Sequence, residues 1–278
     1  MSAFDPKRTW SAIPVLQHLK GRSSASLRAW TVRRTNQYYS CESRLRAWSV
    51  SLSRGVLYLV WGDRAEGAVK RSIRSLKEFH PELPYEVKRL APDTNQFSGL
   101  LEKPGIMELS PFDETLFLDA DTVVLDRLDF GFNQALRFGL ACCICECPWS
   151  RRYRGLPKDD GVEYNTGVLF FTRSVQPLFQ RWKALSAEVD SAIDFIGPNG
   201  QRVVMPFNDQ GSFAKAIAEW DRLPFVLPLN WNFRPIWQAT FFGPIKIWHD
   251  YREPPSWTRN LNDHYRKPGA IIQFHLMK

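Results

Sequence analysis

The sequence predicts an α/β fold, with an open, mostly parallel mixed sheet and helices on both faces. From residue 55 onward, short apolar strand candidates alternate with segments of helical spacing, the pattern of repeated βαβ units. One strand candidate ends abruptly in two aspartates, Asp119 and Asp121. In open α/β sheets, ligands bind beyond the carboxyl ends of the strands. At 278 residues the chain has room for one large domain of this kind.

Each element has its own signal. Residues 56–60 are a fully apolar strand candidate, and 61–63 make a turn. Residues 65–79 place Ala68, Val69, Ile73, Leu76 and Phe79 at helical spacing, and His80-Pro81 ends that helix. Residues 85–90 alternate as a second strand. A second helix spans 97–109, with Pro104-Gly105 inside it as an interruption, and 114–118 form the next strand. Residues 140–145 read as a strand, 148–163 as a polar, mobile active-site loop, and 164–172 as a polar turn entering a buried strand. Residues 175–189 are helical, with Leu178, Phe179, Trp182, Leu185 and Val189 on one face. Residues 197–207 read as loop. Asn208-Asp209-Gln210 opens a helix over 211–220 with Asp209 as its cap. Residues 225–229 and 245–248 are late strands.

Charge is divided unevenly. Residues 1–54 hold ten basic and two acidic side chains, a net +8 that equals the net charge of the whole chain. The body over 55–278 is therefore neutral, which argues against a nucleic-acid partner. The head is rich in Arg and Ser and lacks periodicity. It reads as a disordered or loosely structured basic extension, suited to peripheral contact with an anionic membrane surface; its composition is also that of a transit peptide. No apolar run reaches membrane-spanning length, and no secretory signal is evident. Four of the five cysteines cluster as Cys142, Cys143, Cys145 and Cys147. Their spacing does not match paired zinc ligands and suits a strand of inward-packing reduced thiols. The expected location is cytoplasmic, with contact at the inner face of a membrane through the head.

Asp119 and Asp121 carry the chemistry. Side chains at i and i+2 of an extended segment share a side, and adjacent carboxylates repel unless a cation or proton lies between them. A hard divalent ion, Mn²⁺ or Mg²⁺, takes such oxygens and leaves positions for phosphate. An aspartate after a strand also serves as a turn former or helix cap.

Taken in order, the motifs resemble those of the GT-A glycosyltransferases, and among them the family (glycosyltransferase family 8) that holds glycogenin and the bacterial lipopolysaccharide galactosyltransferases. The matching marks are Trp61-Gly62-Asp63 after a strand, Leu116-Phe-Leu-Asp-Ala-Asp121, Tyr164-Asn-Thr-Gly-Val-Leu-Phe-Phe171, Asn208-Asp-Gln210 and Lys246-Ile-Trp-His249. They cover roughly residues 55–255. The resemblance implies a single GT-A domain over 55–278 that moves a sugar, with retention, from a nucleoside-diphosphate sugar (a UDP-sugar first) to a glycan, lipid-linked or small-molecule acceptor. It implies Asp119, Asp121 and His249 as metal ligands. Val60, Trp61, Gly62, Asp63 and Ala120 would line the nucleoside side, and Lys103 would hold donor phosphate or sugar. Asn165 and Thr166 would border the sugar, with Asp209 and Gln210 facing it. After the late histidine the family has Gly and then Lys-Pro-Trp, whereas this chain continues Asp250-Tyr-Arg-Glu-Pro-Pro-Ser-Trp257; Arg252 takes the place of the lysine beside the leaving phosphate. His275 is a rival for the late histidine.

Two other readings use the same residues. In a phosphatase of the haloacid dehalogenase type, Asp119 would be a covalent nucleophile, but that motif normally opens its domain, and here βαβα precedes it. The other is a non-catalytic sugar-binding protein.

Overall fold

The computed structural model describes residues 52–61, 63–91, 99–146, 162–196 and 200–276. The basic head, Gly62 and most of the expected loop over 148–163 lie outside the described residues.

The opening β1 (Arg54–Val60), α1 (Asp63–Phe79), β2 (Tyr85–Arg89) and β3 (Glu114–Leu118) follow the expected order, and β1 pairs in parallel with β2 and β3. The expected helix over 97–109 is divided. α2 (Gly99–Glu102) and α3 (Ile106–Leu109) flank a 3-10 turn at Lys103–Gly105, because Pro104 has no N–H to continue an α-helical ladder. Next come β4 (Thr122–Val124), α4 (Asp129–Phe138), β5 (Leu140–Ile144), β6 (Tyr164–Thr172) and α5 (Gln176–Glu188). Neither β4 nor α4 is among the elements the sequence predicts.

The loop expected over 197–207 contains a strand instead. β7 (Ile193–Ile196) and β8 (Arg202–Met205) pair antiparallel, their alternating residues satisfying each other's backbone groups outside the main sheet. α6 (Asp209–Ala218) is capped by Asn208, whose side chain accepts from the Gln210 N–H; Asp209 is not the cap. β9 (Phe225–Leu227), β10 (Thr240–Phe242), β11 (Ile247–His249), α7 (Trp257–Tyr265) and β12 (Phe274–Leu276) complete the chain. The late strand expected over 245–248 thus lies later and includes His249.

The main sheet has the order β2-β1-β3-β6-β5-β9. β6 alone runs antiparallel to its neighbours β3 and β5, and β5 pairs in parallel with β9. The strands bury both faces. Val56, Tyr58 and Val60 of β1 join Leu116, Leu118 and Phe170 against α1 and α4, while Leu57 and Leu59 join Phe117, Leu169 and Phe171 against α3, α5 and α6. This alternation is what period-two side-chain geometry requires of a strand covered on both sides. A smaller cluster of Val123, Leu125, Phe233, Phe241, Ile245 and Trp248 holds the last third of the chain together. Cys142, Cys143 and Cys145 are buried free thiols, and burial pushes the Cys142 and Cys143 thiols well above their ordinary range. Cys147 lies outside the described residues. Among the described residues, no helix is long and apolar enough to cross a membrane.

Candidate active site

The chain changes direction where β3 leaves the sheet. Asp119, Ala120 and Asp121 form a tight turn between β3 and β4 rather than an extended segment. The Thr122 N–H and hydroxyl both donate to the Asp119 carbonyl, at 3.2 and 2.8 Å. β4 then pairs antiparallel with β11, with Thr122 opposite His249, and the Asp250 N–H donates to the Asp121 carbonyl at 3.0 Å. This register carries the imidazole to the aspartates. His249 Nε2 lies 3.2 Å from Asp121 Oδ1 and 3.7 Å from Asp119 Oδ2, and one ligand atom from each of the three residues falls within 4.8 Å of the others. His275 is elsewhere: its Nε2 is 2.8 Å from the Tyr265 hydroxyl and its ring stacks on Phe241.

The same end of the sheet receives the start of β6, because β6 runs opposite to its neighbours. The Asp119 N–H donates to the Gly167 carbonyl at 2.8 Å. A Cβ at Gly167 would lie 2.4 Å from His249 Cε1 and 2.6 Å from Asp119 Oδ2. Only a residue without a side chain lets imidazole and carboxylate come together over this strand.

Hydrogen-bond polarity fixes the histidine tautomer. A backbone N–H can only donate, so the Gly167 N–H, 2.9 Å from Asn165 Oδ1, identifies that atom as the acceptor. Asn232 must then present its Nδ2 to the same oxygen at 2.7 Å and its Oδ1 to His249 Nδ1 at 2.7 Å. His249 Nδ1 therefore carries a proton, and in the neutral ring Nε2 keeps its lone pair toward Asp119 and Asp121. Asn232 was not singled out in the sequence; its place in a 3-10 turn (Leu229–Asn232) has no periodicity signal.

Lys103, at the turn forced by Pro104, is buried at 4 % exposure. Its Nζ lies 2.8 Å from Asp119 Oδ1 and 3.5 Å from Asp209 Oδ2. Burial works against its charge, but Asp119 and then Asp209 outweigh that and hold the ammonium above its ordinary range. Burial also opposes the charge of Asp121, yet a His249 ring that carries both protons outweighs it and brings the carboxyl down to about 2. Asp209 accepts from the Thr166 hydroxyl, and Asn165 Nδ2 donates to Gln210 Oε1 at 2.9 Å.

Two adjoining cavities frame these groups. One of about 290 Å³ is lined by Trp61, Ala65, Ala120, Asp121 and Tyr251, the other of about 220 Å³ by Asn165, Thr166, Asp209, Gln210 and Trp237. Both include Lys103, Asp119 and His249. The structure thus brings together Trp61, Lys103, Asp119, Ala120, Asp121, Asn165, Thr166, Asp209, Gln210 and His249. Val60 sits in the core below, at 2 % exposure, with its carbonyl bonded to the Leu90 N–H, and Asp63 begins α1. Arg252 does not join them. Its guanidinium is held by Asp250 at 2.6 to 3.2 Å and its side chain is 70 % exposed, beside a separate cavity of about 460 Å³ that includes Trp237, Gln238 and Trp248.

Solved structures similar to this chain include glycosyltransferases. Mouse xyloside xylosyltransferase 1 is 13 % identical, with 72 % of this chain and 99 % of that one covered and a TM-score of 0.49. The galactosyltransferase LgtC, solved with donor and acceptor sugar analogues, is 13 % identical over 74 % of this chain and 90 % of that one, with a TM-score of 0.45. The glycosyltransferase GlyE of Streptococcus pneumoniae is 16 % identical over 73 % and 55 %, with a TM-score of 0.45. No protein-family model matches the sequence, and no curated protein sequence matches it.

The residues fit a divalent cation. Ligand atoms about 2.1 Å from one ion at right angles lie about 3 Å apart, close to the 3.2 and 3.7 Å separations from His249 Nε2. Two carboxylates and one oriented imidazole suit Mn²⁺ or Mg²⁺, and Gly167 clears the space in which they converge.

Proposed function

We propose that this protein is a metal-dependent glycosyltransferase that moves a sugar from a nucleoside-diphosphate sugar to a hydroxyl acceptor. The observation that carries the reading is the convergence of Asp119, Asp121 and His249 Nε2 within 4.8 Å, at the boundary between the two cavities. Asp119, Asp121 and His249 would hold Mn²⁺ or Mg²⁺, which when bound supplies Lewis-acid stabilisation of the departing diphosphate.

The chain's own groups divide the remaining work. Trp61 and Ala120 line the nucleoside side. Lys103 holds Asp119 and Asp209 in fixed positions and keeps a positive charge at the junction of the cavities, where it favours the developing charge of the leaving diphosphate. Asp209, oriented by Thr166 and Lys103, and Gln210, oriented by Asn165, face the space for the transferred sugar. The bond from anomeric carbon to diphosphate oxygen breaks, the acceptor oxygen bonds to that carbon, and its proton passes to the leaving side. Retention of configuration, a UDP-sugar as donor and a glycan, lipid-linked or small-molecule acceptor follow from the motif resemblance. With Arg252 turned onto Asp250, positive charge for the phosphates comes from Lys103.

A thermal-shift panel of UDP-, GDP- and ADP-sugars with and without Mn²⁺ tests this, since a ligand that binds only the folded state raises apparent stability. A UDP-sugar is expected to raise the melting temperature only when Mn²⁺ is present, and Asp121→Ala is expected to abolish that shift while leaving the unliganded melting temperature nearly unchanged. A panel in which no nucleotide sugar shifts the wild-type protein, with or without the metal, would overturn the reading.

A further inference from the structure

We infer that Arg71 is a positioning residue that sets the spacing between the two halves of the cation site; this rests on the reading of Asp119, Asp121 and His249 as its ligands. Arg71 lies in the middle of α1, outside every motif singled out in the sequence. Its Nη2 donates to the Asp121 carbonyl at 3.2 Å and to the Asp250 carbonyl at 2.6 Å. Its Nη1 donates to the Tyr251 carbonyl at 2.6 Å. One guanidinium therefore ties the backbone of the second aspartate to the two residues that follow the histidine. The side chain is only 13 % exposed, and the carboxylate it pairs with among the described residues, Glu253 at 3.7 Å, is itself 75 % exposed. Placing a charge there is costly unless the carbonyl oxygens are held in return.

Holding β4 onto α1 does not account for this arrangement, because Ser72 and Ser75 of the same helix already do so. Ser72 Oγ shares a hydrogen bond with Thr122 Oγ1 at 2.9 Å, and Ser75 Oγ accepts from the Val124 N–H at 2.9 Å. The β4–β11 pairing and the Asp250 N–H on the Asp121 carbonyl already join the aspartate turn to the end of β11; what Arg71 adds is a side-chain clamp over that junction, which also holds the Tyr251 carbonyl. The guanidinium is a rigid, planar fork whose donors leave at fixed angles, so it defines the separation of the Asp121 and Asp250 carbonyls, and through them that of Asp121 and His249. A lysine in its place has a single compact head and cannot span the three carbonyls with the same geometry.

The test uses the full-length chain and Mn²⁺ alone, read from the loss of the free-ion electron paramagnetic resonance signal on binding. Arg71→Gln is expected to weaken Mn²⁺ binding roughly 10- to 100-fold, the range for residues that orient metal ligands, and Arg71→Lys to fall between it and the wild type. Added guanidinium ion at a non-denaturing concentration is expected to restore part of the affinity of Arg71→Ala. Ser75→Ala is the control: it is expected to lower the melting temperature and leave Mn²⁺ affinity unchanged. Arg71 variants that bind Mn²⁺ as tightly as the wild type would overturn the inference while leaving the site intact. Failure of the wild type to bind Mn²⁺, or binding that Asp121→Ala does not weaken, would overturn the underlying reading and the inference with it.

Discussion

At His249 the chemistry depends on which ring nitrogen carries the proton, and that is decided two residues away. The chain of bonds from Gly167 N–H through Asn165 and Asn232 to His249 Nδ1 leaves Nε2 to the aspartates. Asn232→Leu removes the last acceptor and lets the ring turn or change tautomer. Mn²⁺ affinity is expected to fall by about tenfold or more, measured by calorimetric titration; an unchanged affinity would show that the tautomer is fixed by other means. Gly167→Ala is a steric test of the same point. Its Cβ would meet His249 and Asp119 at under 3 Å, so one of them must move, and Mn²⁺-dependent donor binding should be lost while far-ultraviolet circular dichroism stays that of the wild type. At this scale the sequence was informative where a residue's type is its role. Asp119 and Asp121 stood out as an expected cation pair and His249 through the motif resemblance, and the three converge. Asn232, Arg71 and Gly167 did not stand out as parts of the site, because an amide, a helical arginine and a strand glycine acquire their roles only from neighbours distant in sequence.

Among the elements, the short β4–β11 pair matters most, since its register brings Thr122 opposite His249. β4 is three residues long, too short to show a strand period, and was not read from the sequence. α4 is also not among the predicted elements, although Gly139 beyond its end has a φ of 85° and is the left-handed residue at which helices commonly stop. The longer elements with strong apolar periodicity, such as α1 and β6, were legible because burial on a defined face imposes that period. The ion pairs of Asp126 fasten β4 and β11 together near the site. Asp126 accepts from Lys246 at 2.7 Å and from Arg266 at 3.4 Å. Burial raises its carboxyl, but the Lys246 hydrogen bond and charge outweigh that and leave it below its ordinary 3.8. A carboxyl whose folded pKa is depressed contributes stability above its unfolded value and loses it as pH falls through the folded one. Asp126→Asn is therefore expected to cost about 1–3 kcal/mol at pH 7, with the difference from the wild type shrinking below about pH 4. Urea unfolding of both proteins at neutral and acid pH measures this; a difference that does not change with pH would contradict it.

Considered as a whole, the chain is a neutral α/β body preceded by a strongly basic head, and the proposed division between them can be made sharper than residue 54. Arg54 is the first residue of β1 and pairs with Glu114 at 2.6 Å. The Ser53 carbonyl accepts from the N–H groups of Asp113 and Glu114. A chain starting at Leu52 is expected to fold and bind donor as the full-length protein does, whereas one starting at Gly55 loses these ties and should melt at a lower temperature. Thermal unfolding of both truncations decides it, and equal melting temperatures would count against a role for Ser53 and Arg54. The arrangement of βαβ units and the position of the aspartates at a strand end were legible in the sequence because they follow from periodicity and chain order. The antiparallel insertion of β6, which delivers Gly167 and Asn165 to the same end of the sheet, was not, because strand direction is set by long-range pairing. In the proposed reaction Asp119, Asp121 and His249 together hold the cation that carries the donor diphosphate. Diffraction at the manganese absorption edge, from crystals grown with Mn²⁺ and UDP, tests it most directly. An anomalous peak is expected, bounded by carboxylate oxygens of Asp119 and Asp121 and by Nε2 of His249, with the diphosphate beside it. Full nucleotide density with no peak there, or a peak whose histidine ligand is His275, would contradict it.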